Sequence, residues 1–336
     1  MYRGRCNQRH RHVYVGFLGR SFSGSLLPPL EAPILSIKRG EVLRLAVVAL
    51  ALTCNVLHAQ ANKTSPPPTQ IIMLGTGTPE LSAERSGQSV GIVAGPLKEW
   101  YIFDAGAGVL HRVDEALRLI WPKFPAAWEP GMYGTIVNAL FITHLHIDHT
   151  LGLPELLFYH GRVRLRVFGP PGLQEMVRGI QSAWPSSAAD TLRATSITEL
   201  TTGGLVFQDS NVTVTAFAVR HDGPGGNFGY RIQTHDRTIV LSGDTAPSDE
   251  VVKACNGCDV LIHEVYGVNP KRTENNHFLN GHTNAYELGE IATRAKPKLL
   301  ILNHQMNHGV SDDEILRQIA SKYSGRVVWA KDLAIY

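Results

Sequence analysis

Four side chains able to hold a metal ion stand within six residues in the run Thr143-His144-Leu145-His146-Ile147-Asp148-His149. Residues i and i+2 leaving a strand point the same way, so His144 and His146 can share one ion. Asp148 and His149 follow after the chain has turned. Four such groups suit two ions rather than one, and imidazole and carboxylate without thiolate favour zinc, with manganese or iron as alternatives. A lone histidine would more often be a surface or structural residue. Four ligand-type residues after an apolar strand argue for a metal site.

Such a cluster needs strands to carry it. Short apolar runs alternate with glycine turns from Ile71 onward, and they predict strands at 71–74, 100–103, 136–143, 163–168, 212–219, 228–233, 238–241, 260–263 and 299–302. Apolar residues at three- and four-residue spacing predict helices at 173–183, 285–295 and 313–323, with a further helix-like stretch at 248–254. Strands outnumber helices, and the helices follow groups of strands. That order predicts sheets packed face to face with helices outside. Gly75 and Gly77 after the first strand either let backbone approach the site or simply make the turn. No internal repeat at a solenoid period is present.

The chain has 336 residues, 43% of them hydrophobic and 18% charged, the profile of a globular protein with one large domain or two small ones. Residues 1–61 hold 8 of the 32 Lys and Arg and only 2 of the 29 Asp and Glu. The remainder therefore carries 24 basic and 27 acidic residues, a balance of −3. This body lacks the surplus of phosphate-binding cations expected of a protein that grips long nucleic acid. It excludes nothing smaller.

Lys38, Arg39 and Arg44 precede an apolar run of 13 residues from Leu45 to Leu57, which ends in Ala59-Gln60-Ala61. The order is that of a secretory signal cleaved near Ala61, and it predicts a periplasmic or secreted protein. The run is too short for a stable membrane span. Leu52-Thr53 before Cys54 lacks the small residue of a lipid-modified cysteine. Residues 1–41 add five arginines in front, and no Met lies between Met1 and Met73, so translation is expected to start at an alternative codon near Val42. Residues 62–70 have linker composition, leaving 71–336 as the expected folded domain. Cys255 and Cys258 read as a turn able to carry a small disulfide in an oxidising compartment, or as a redox or metal motif.

The run from His144 to His149 resembles the His-x-His-x-Asp-His signature of the metallo-β-lactamase superfamily, and the resemblance extends over nearly all of 71–336. It implies an α/β fold, a four-layer αββα sandwich of two mixed sheets flanked by helices. It also implies two Zn2+ ions, with Mn2+ or Fe2+ as alternatives, bridged by a hydroxide. The first ion would take His144, His146, His221 and Asp244; the second would take Asp148, His149, His304 and Asp244. Within the superfamily, Leu74-Gly75-Thr76-Gly77-Thr78-Pro79, Phe228-Gly229-Tyr230-Arg231-Ile232, His263-Glu264-Val265 and Gly281-His282-Thr283 resemble the ribonuclease Z-like branch, which includes arylsulfatase-like and phosphodiesterase relatives. The resemblance makes His282 the proton donor to the leaving group, with Asp148 assisting the nucleophile and His263 and Glu264 orienting His282. His277, five residues before His282, reads as a surface residue, and His111, His160, His235 and His308 carry no usable pattern.

The chain departs from ribonuclease Z in two respects. That family's tRNA-gripping arm lies between the residues matching His221 and Asp244, which here are only 23 positions apart. The loop 80–85 also lacks the lysine of the tRNA-processing form and adds Glu80 and Glu84. These features point to a metal-dependent hydrolase of small anionic esters, a phosphodiesterase first and an arylsulfatase second. A tRNA 3′-end endonuclease and a non-catalytic binding module are the competing readings. The ligand set and His282 argue against the module, and the bridging Asp244 argues against a true β-lactamase. A homodimer is compatible with this reading.

Overall fold

Strand alternation divides the first strand between two cores. In β1 (Gln70–Gly75), Ile71 and Met73 enter one apolar cluster, while Ile72 and Leu74 enter another on the opposite face. The computed structural model describes residues 66–121, 136–159, 165–184, 195–222, 226–271 and 280–336. The expected signal, residues 62–65 of the linker, and His160 and His277 lie outside the described residues.

β1 opens a six-stranded sheet that continues through β2 (Ser89–Ala94), β3 (Glu99–Phe103), β4 (Val137–Phe141), β5 (Arg166–Gly169) and β6 (Ser196–Glu199), paired in chain order. The first three strands are antiparallel, and β3 to β6 are parallel. A seven-stranded sheet is formed by β7 (Gly204–Gln208), β8 (Thr213–Val219), β9 (Asn227–Gln233), β10 (Thr238–Leu241), β11 (Val260–Tyr266), β12 (Leu299–Met306) and β13 (Val327–Trp329), again in chain order. It is antiparallel from β7 to β10 and parallel from β10 to β13.

Three apolar clusters separate four layers. The central one joins Ile71, Ile92, Phe103 and Phe141 of the first sheet to Tyr230, Ile239, Ile262 and Ile301 of the second. A second packs the outer face of the first sheet against α1 (Val109–Ile120), α3 (Leu153–Tyr159) and α4 (Leu173–Ala183). The third packs the outer face of the second sheet against α5 (Asp249–Cys255), α6 (Ala285–Ala295) and α7 (Asp312–Ala320). The one-turn helix α2 (Ile147–Thr150) belongs to the site. The αββα sandwich expected from the sequence is therefore the observed architecture. Among the described residues no helix is long and apolar enough to cross a membrane.

Several elements differ from their sequence reading. β2, β6, β7, β13, α1 and α3 were not anticipated. β11 and β12 run on to Tyr266 and Met306, so Glu264 and His304 lie inside strands rather than after them. Polar residues there broke the apolar pattern without ending the pairing. Cys255 and Cys258 are joined by a disulfide across the turn between α5 and β11, and both are buried.

Candidate metal centre

The donors gather at one end of the sandwich because the strands that carry them point the same way. β3 and β4 are parallel neighbours, and β8, β10, β11 and β12 share one direction in the second sheet. Asp104 follows β3, the histidine run follows β4, His221 follows β8 and Asp244 follows β10. Two bonds tie the sheets together beneath them. The Phe228 amide donates to the Thr143 carbonyl at 3.0 Å, and the Tyr230 hydroxyl donates to the Ile142 carbonyl at 2.7 Å.

His144, His146 and His221 form the first group. His146 Nδ1 lies 3.1 Å from both His144 Nε2 and His221 Nε2. Asp244 Oδ2 is 3.8 Å from His144 Nε2 and 3.9 Å from His221 Nε2. The opposite ring nitrogens are already committed. His221 Nδ1 donates to the Gly281 carbonyl at 2.8 Å. The Thr143 hydroxyl donates to Asp104 Oδ2 at 2.9 Å, so it accepts from His144 Nδ1 at 3.0 Å. Burial, together with the neighbouring imidazoles, pushes all three histidines below their ordinary value and keeps them neutral. Two Nε2 lone pairs then converge on the His146 ring with one proton between them at most, and an anionic oxygen stands behind. A cation is the group that satisfies such a set.

Asp148, His149 and His304 form the second group, again closed by Asp244. His304 Nε2 is 3.0 Å from Asp148 Oδ2 and 3.3 Å from Asp244 Oδ2; His149 Nε2 is 3.4 Å and 3.5 Å from the same two oxygens. His149 is fully buried, its Nε2 makes no hydrogen bond, and its Nδ1 donates to Asp104 Oδ2 at 2.8 Å. Burial opposes a charge on His149, but the carboxylates of Asp244 and Asp104 override it and raise its pKa well above the usual range. Burial likewise opposes ionisation of Asp244, and the His304 and His149 imidazoles outweigh it, so the carboxyl stays well below the usual range. This pocket favours positive charge. Asp244 Oδ2 stands within 3.9 Å of histidine nitrogens from both groups.

His282 stands beside both groups. Its Nδ1 is 2.8 Å from Glu264 Oε2, 2.9 Å from Oε1, and 3.9 Å from Asp244 Oδ2. Burial pushes His282 down; burial and the charge on Asp244 push Glu264 well up, so the pair holds one proton between them. Glu264 is fixed in turn by the Thr245 amide, which donates to Oε1 at 2.7 Å. His263 does not join this pair: its Nδ1 donates to the Glu264 carbonyl, away from His282. His308 rests on Tyr266, outside the groups described above.

Local backbone explains how these groups reach the centre. His304 has φ 45° and sits at a register shift between β11 and β12, where Glu264 pairs with Asn303 and Val265 with Gln305. The bulge adds one residue and re-aims the imidazole. Asp104, at φ 63°, turns its carboxylate back toward the site after β3. A Cβ on Gly281 would stand 2.8 Å from His221 Nδ1, so only glycine fits beneath that ring. A Cβ on Gly75 would collide with the backbone of Ser86 and Gly87, so the glycine serves a close approach between the end of β1 and the loop before β2. Sequence reasoning missed Asp104 and Thr143. An aspartate directly after the buried run Trp100 to Phe103 was the available signal.

An αββα sandwich with two adjoining His/Asp clusters at one end defines a metal-dependent hydrolase. The chain belongs to the β-lactamase superfamily domain family, whose profile matches residues 99–305, within the metallo-β-lactamase superfamily. It is 27% identical to the ribonuclease Z of Mycobacterium bovis, over 79% of this chain and 96% of that one. Human tRNase Z, short form, superposes with a TM-score of 0.60 at 22% identity, over 80% of this chain and 98% of that one. A diphosphatase from the PhnP family superposes with a TM-score of 0.56 at 17% identity, over 80% and 97%.

Proposed function

We propose that the protein is a dinuclear, zinc-dependent hydrolase of small anionic esters, phosphodiesters first, acting in the periplasm or outside the cell. When bound, the two ions would supply a nucleophile deprotonated near neutral pH and neutralise charge on the ester oxygens. His144, His146, His221 and Asp244 would hold one, and Asp148, His149, His304 and Asp244 the other. Asp104 and Thr143 keep the rings of His149 and His144 turned so that Nε2 faces inward. Glu264 holds His282 by Nδ1, which orients the ring to give a proton to the departing oxygen. Because burial lowers the pKa of His282, it releases that proton readily as alkoxide charge develops.

The observation that carries the substrate class is what occupies the interval between His221 and Asp244. β9, β10 and the four residues 234–237 that join them take 15 of its 22 residues. An RNA-gripping arm has no chain to be built from. The competing reading, tRNA 3′-end processing, draws its support from the name of the Mycobacterium bovis relative. A panel of chromogenic aryl phosphodiester, phosphomonoester, sulfate and lactam substrates tests the proposal on zinc-loaded protein. Fastest turnover of the diester is expected. Preference for the sulfate would make the enzyme an arylsulfatase, and inertness toward every ester would defeat the reading.

A further inference from the structure

Two clefts reach the proposed metal centre through different residues, and their chemistry differs. One, of about 580 Å³, is lined by the proposed ligand Asp148, by Pro79, Leu81, Ile147 and Leu151, and by the charged Glu80, Arg85 and Arg112. Leu81 is fully exposed, and Ile147 and Leu151 are 65% and 55% exposed. Three large apolar side chains held in water around one cleft are a feature that binding would relieve. The other cleft, of about 570 Å³, is lined by His221 and His282 and by Arg220, Asp222, Asn280 and Glu287. Its lining is mainly polar, whereas that of the first cleft is mainly apolar.

We propose that these clefts sort the two arms of the substrate: the apolar substituent retained on phosphorus lies against Leu81, Ile147 and Leu151, and the departing alcohol is the polar arm, seated beside Arg220 and Asn280. This rests on the small-diester reading given above. The assignment follows from where the proton is given up. The departing oxygen must lie within hydrogen-bond reach of His282, so the group attached to it extends into the cleft that His282 lines. The other substituent is then directed toward the Asp148 side. Water adds its oxygen to phosphorus, and the bond from phosphorus to the polar alcohol's oxygen breaks. His282 gives that oxygen its proton, and a proton from the water replaces it. The products are an apolar phosphomonoester and a polar alcohol.

Octyl glyceryl phosphate and methyl glyceryl phosphate are the probes. The zinc-loaded enzyme should release glycerol and octyl phosphate, identified by phosphorus NMR and mass spectrometry. Its kcat/KM should be at least roughly tenfold higher for the octyl than for the methyl diester, the scale of discrimination an apolar pocket provides. Calorimetry should show octyl phosphate binding at least tenfold more tightly than methyl phosphate. Leu81→Asp, a change at a fully exposed side chain, should bring both ratios toward one. Release of octanol with glycerol phosphate, or ratios near one in the unaltered protein, would overturn the sorting. Loss of a dimer in Leu81→Asp with both ratios preserved would also overturn it and assign the apolar cleft to a second copy. If neither diester is turned over, the small-diester reading fails, while the calorimetric ratio still decides whether the apolar cleft takes an alkyl arm.

Discussion

At the residue scale, ligand and proton donor are separated by what holds each ring. His221 and His149 spend Nδ1 on an oxygen behind them and bring Nε2 toward Asp244, whereas the His282 nitrogen near Asp244 is Nδ1, which Glu264 already holds. This difference makes an experimental prediction. His146→Ala or Asp244→Ala should lose at least one of two bound ions by elemental analysis, together with nearly all turnover, because each removes a group shared by the converging donors. His282→Ala should keep both ions and lose roughly 10²- to 10⁴-fold in kcat, the usual range for removing a general acid. The loss should be largest for alkyl esters and small for a nitrophenyl ester, whose leaving group departs without a proton. Metal loss in His282→Ala would move that residue into the ligand set.

At the element scale, β11 carries a side chain with a different kind of cost. His263 is fully buried, its Nε2 has no hydrogen-bond partner, and burial pushes its pKa down to about 4. The unfolded chain takes up a proton on this residue near pH 6.5, and the folded chain does so only near 4, so the unfolded state binds more protons in between. The contribution is therefore present in full above about 6.5 and is lost as pH falls toward 4, reaching about 3 kcal/mol. His263→Phe should show a shallower fall in urea midpoint across that window than the unaltered protein; parallel profiles would refute the assignment. Elements such as β11 also show where the sequence was legible. The apolar runs of β1, β4, β10 and α4 and the spacing from His144 to His149 announce themselves because each obeys one local period. β2 was missed because Ser89 and Gly91 interrupt its apolar residues, and β7 because it lies largely exposed beside β8. The bulge at His304 and the left-handed turn at Asp104 come from pairing between distant strands, which no local pattern records.

At the scale of the whole molecule, charge and export bear on the same question. If residues 38–61 are a signal, native material from outside the cytoplasm should begin near Asn62 by N-terminal analysis, and cytoplasmic material keeping Met1 as its major form would sink the export proposal. A tRNA-processing enzyme would need its substrate in the compartment that this protein would leave under the export proposal. It would also need many cationic contacts, since affinity for folded RNA comes from neutralising phosphates and falls steeply with salt. The part of the chain after residue 61 carries 24 basic against 27 acidic residues, and the β9–β10 connection offers no arm on which to array more. A small diester, by contrast, would be held by the two proposed ions and a few groups in the clefts. Raising salt from 50 to 200 mM should therefore change kcat/KM for a small aryl diester by less than about threefold, whereas an enzyme making several phosphate contacts would lose orders of magnitude. Precursor tRNA should be cut slowly and without preference for the 3′ junction. Rapid, position-specific cleavage of that precursor at physiological salt, with no turnover of small esters, would reverse the assignment in favour of the ribonuclease.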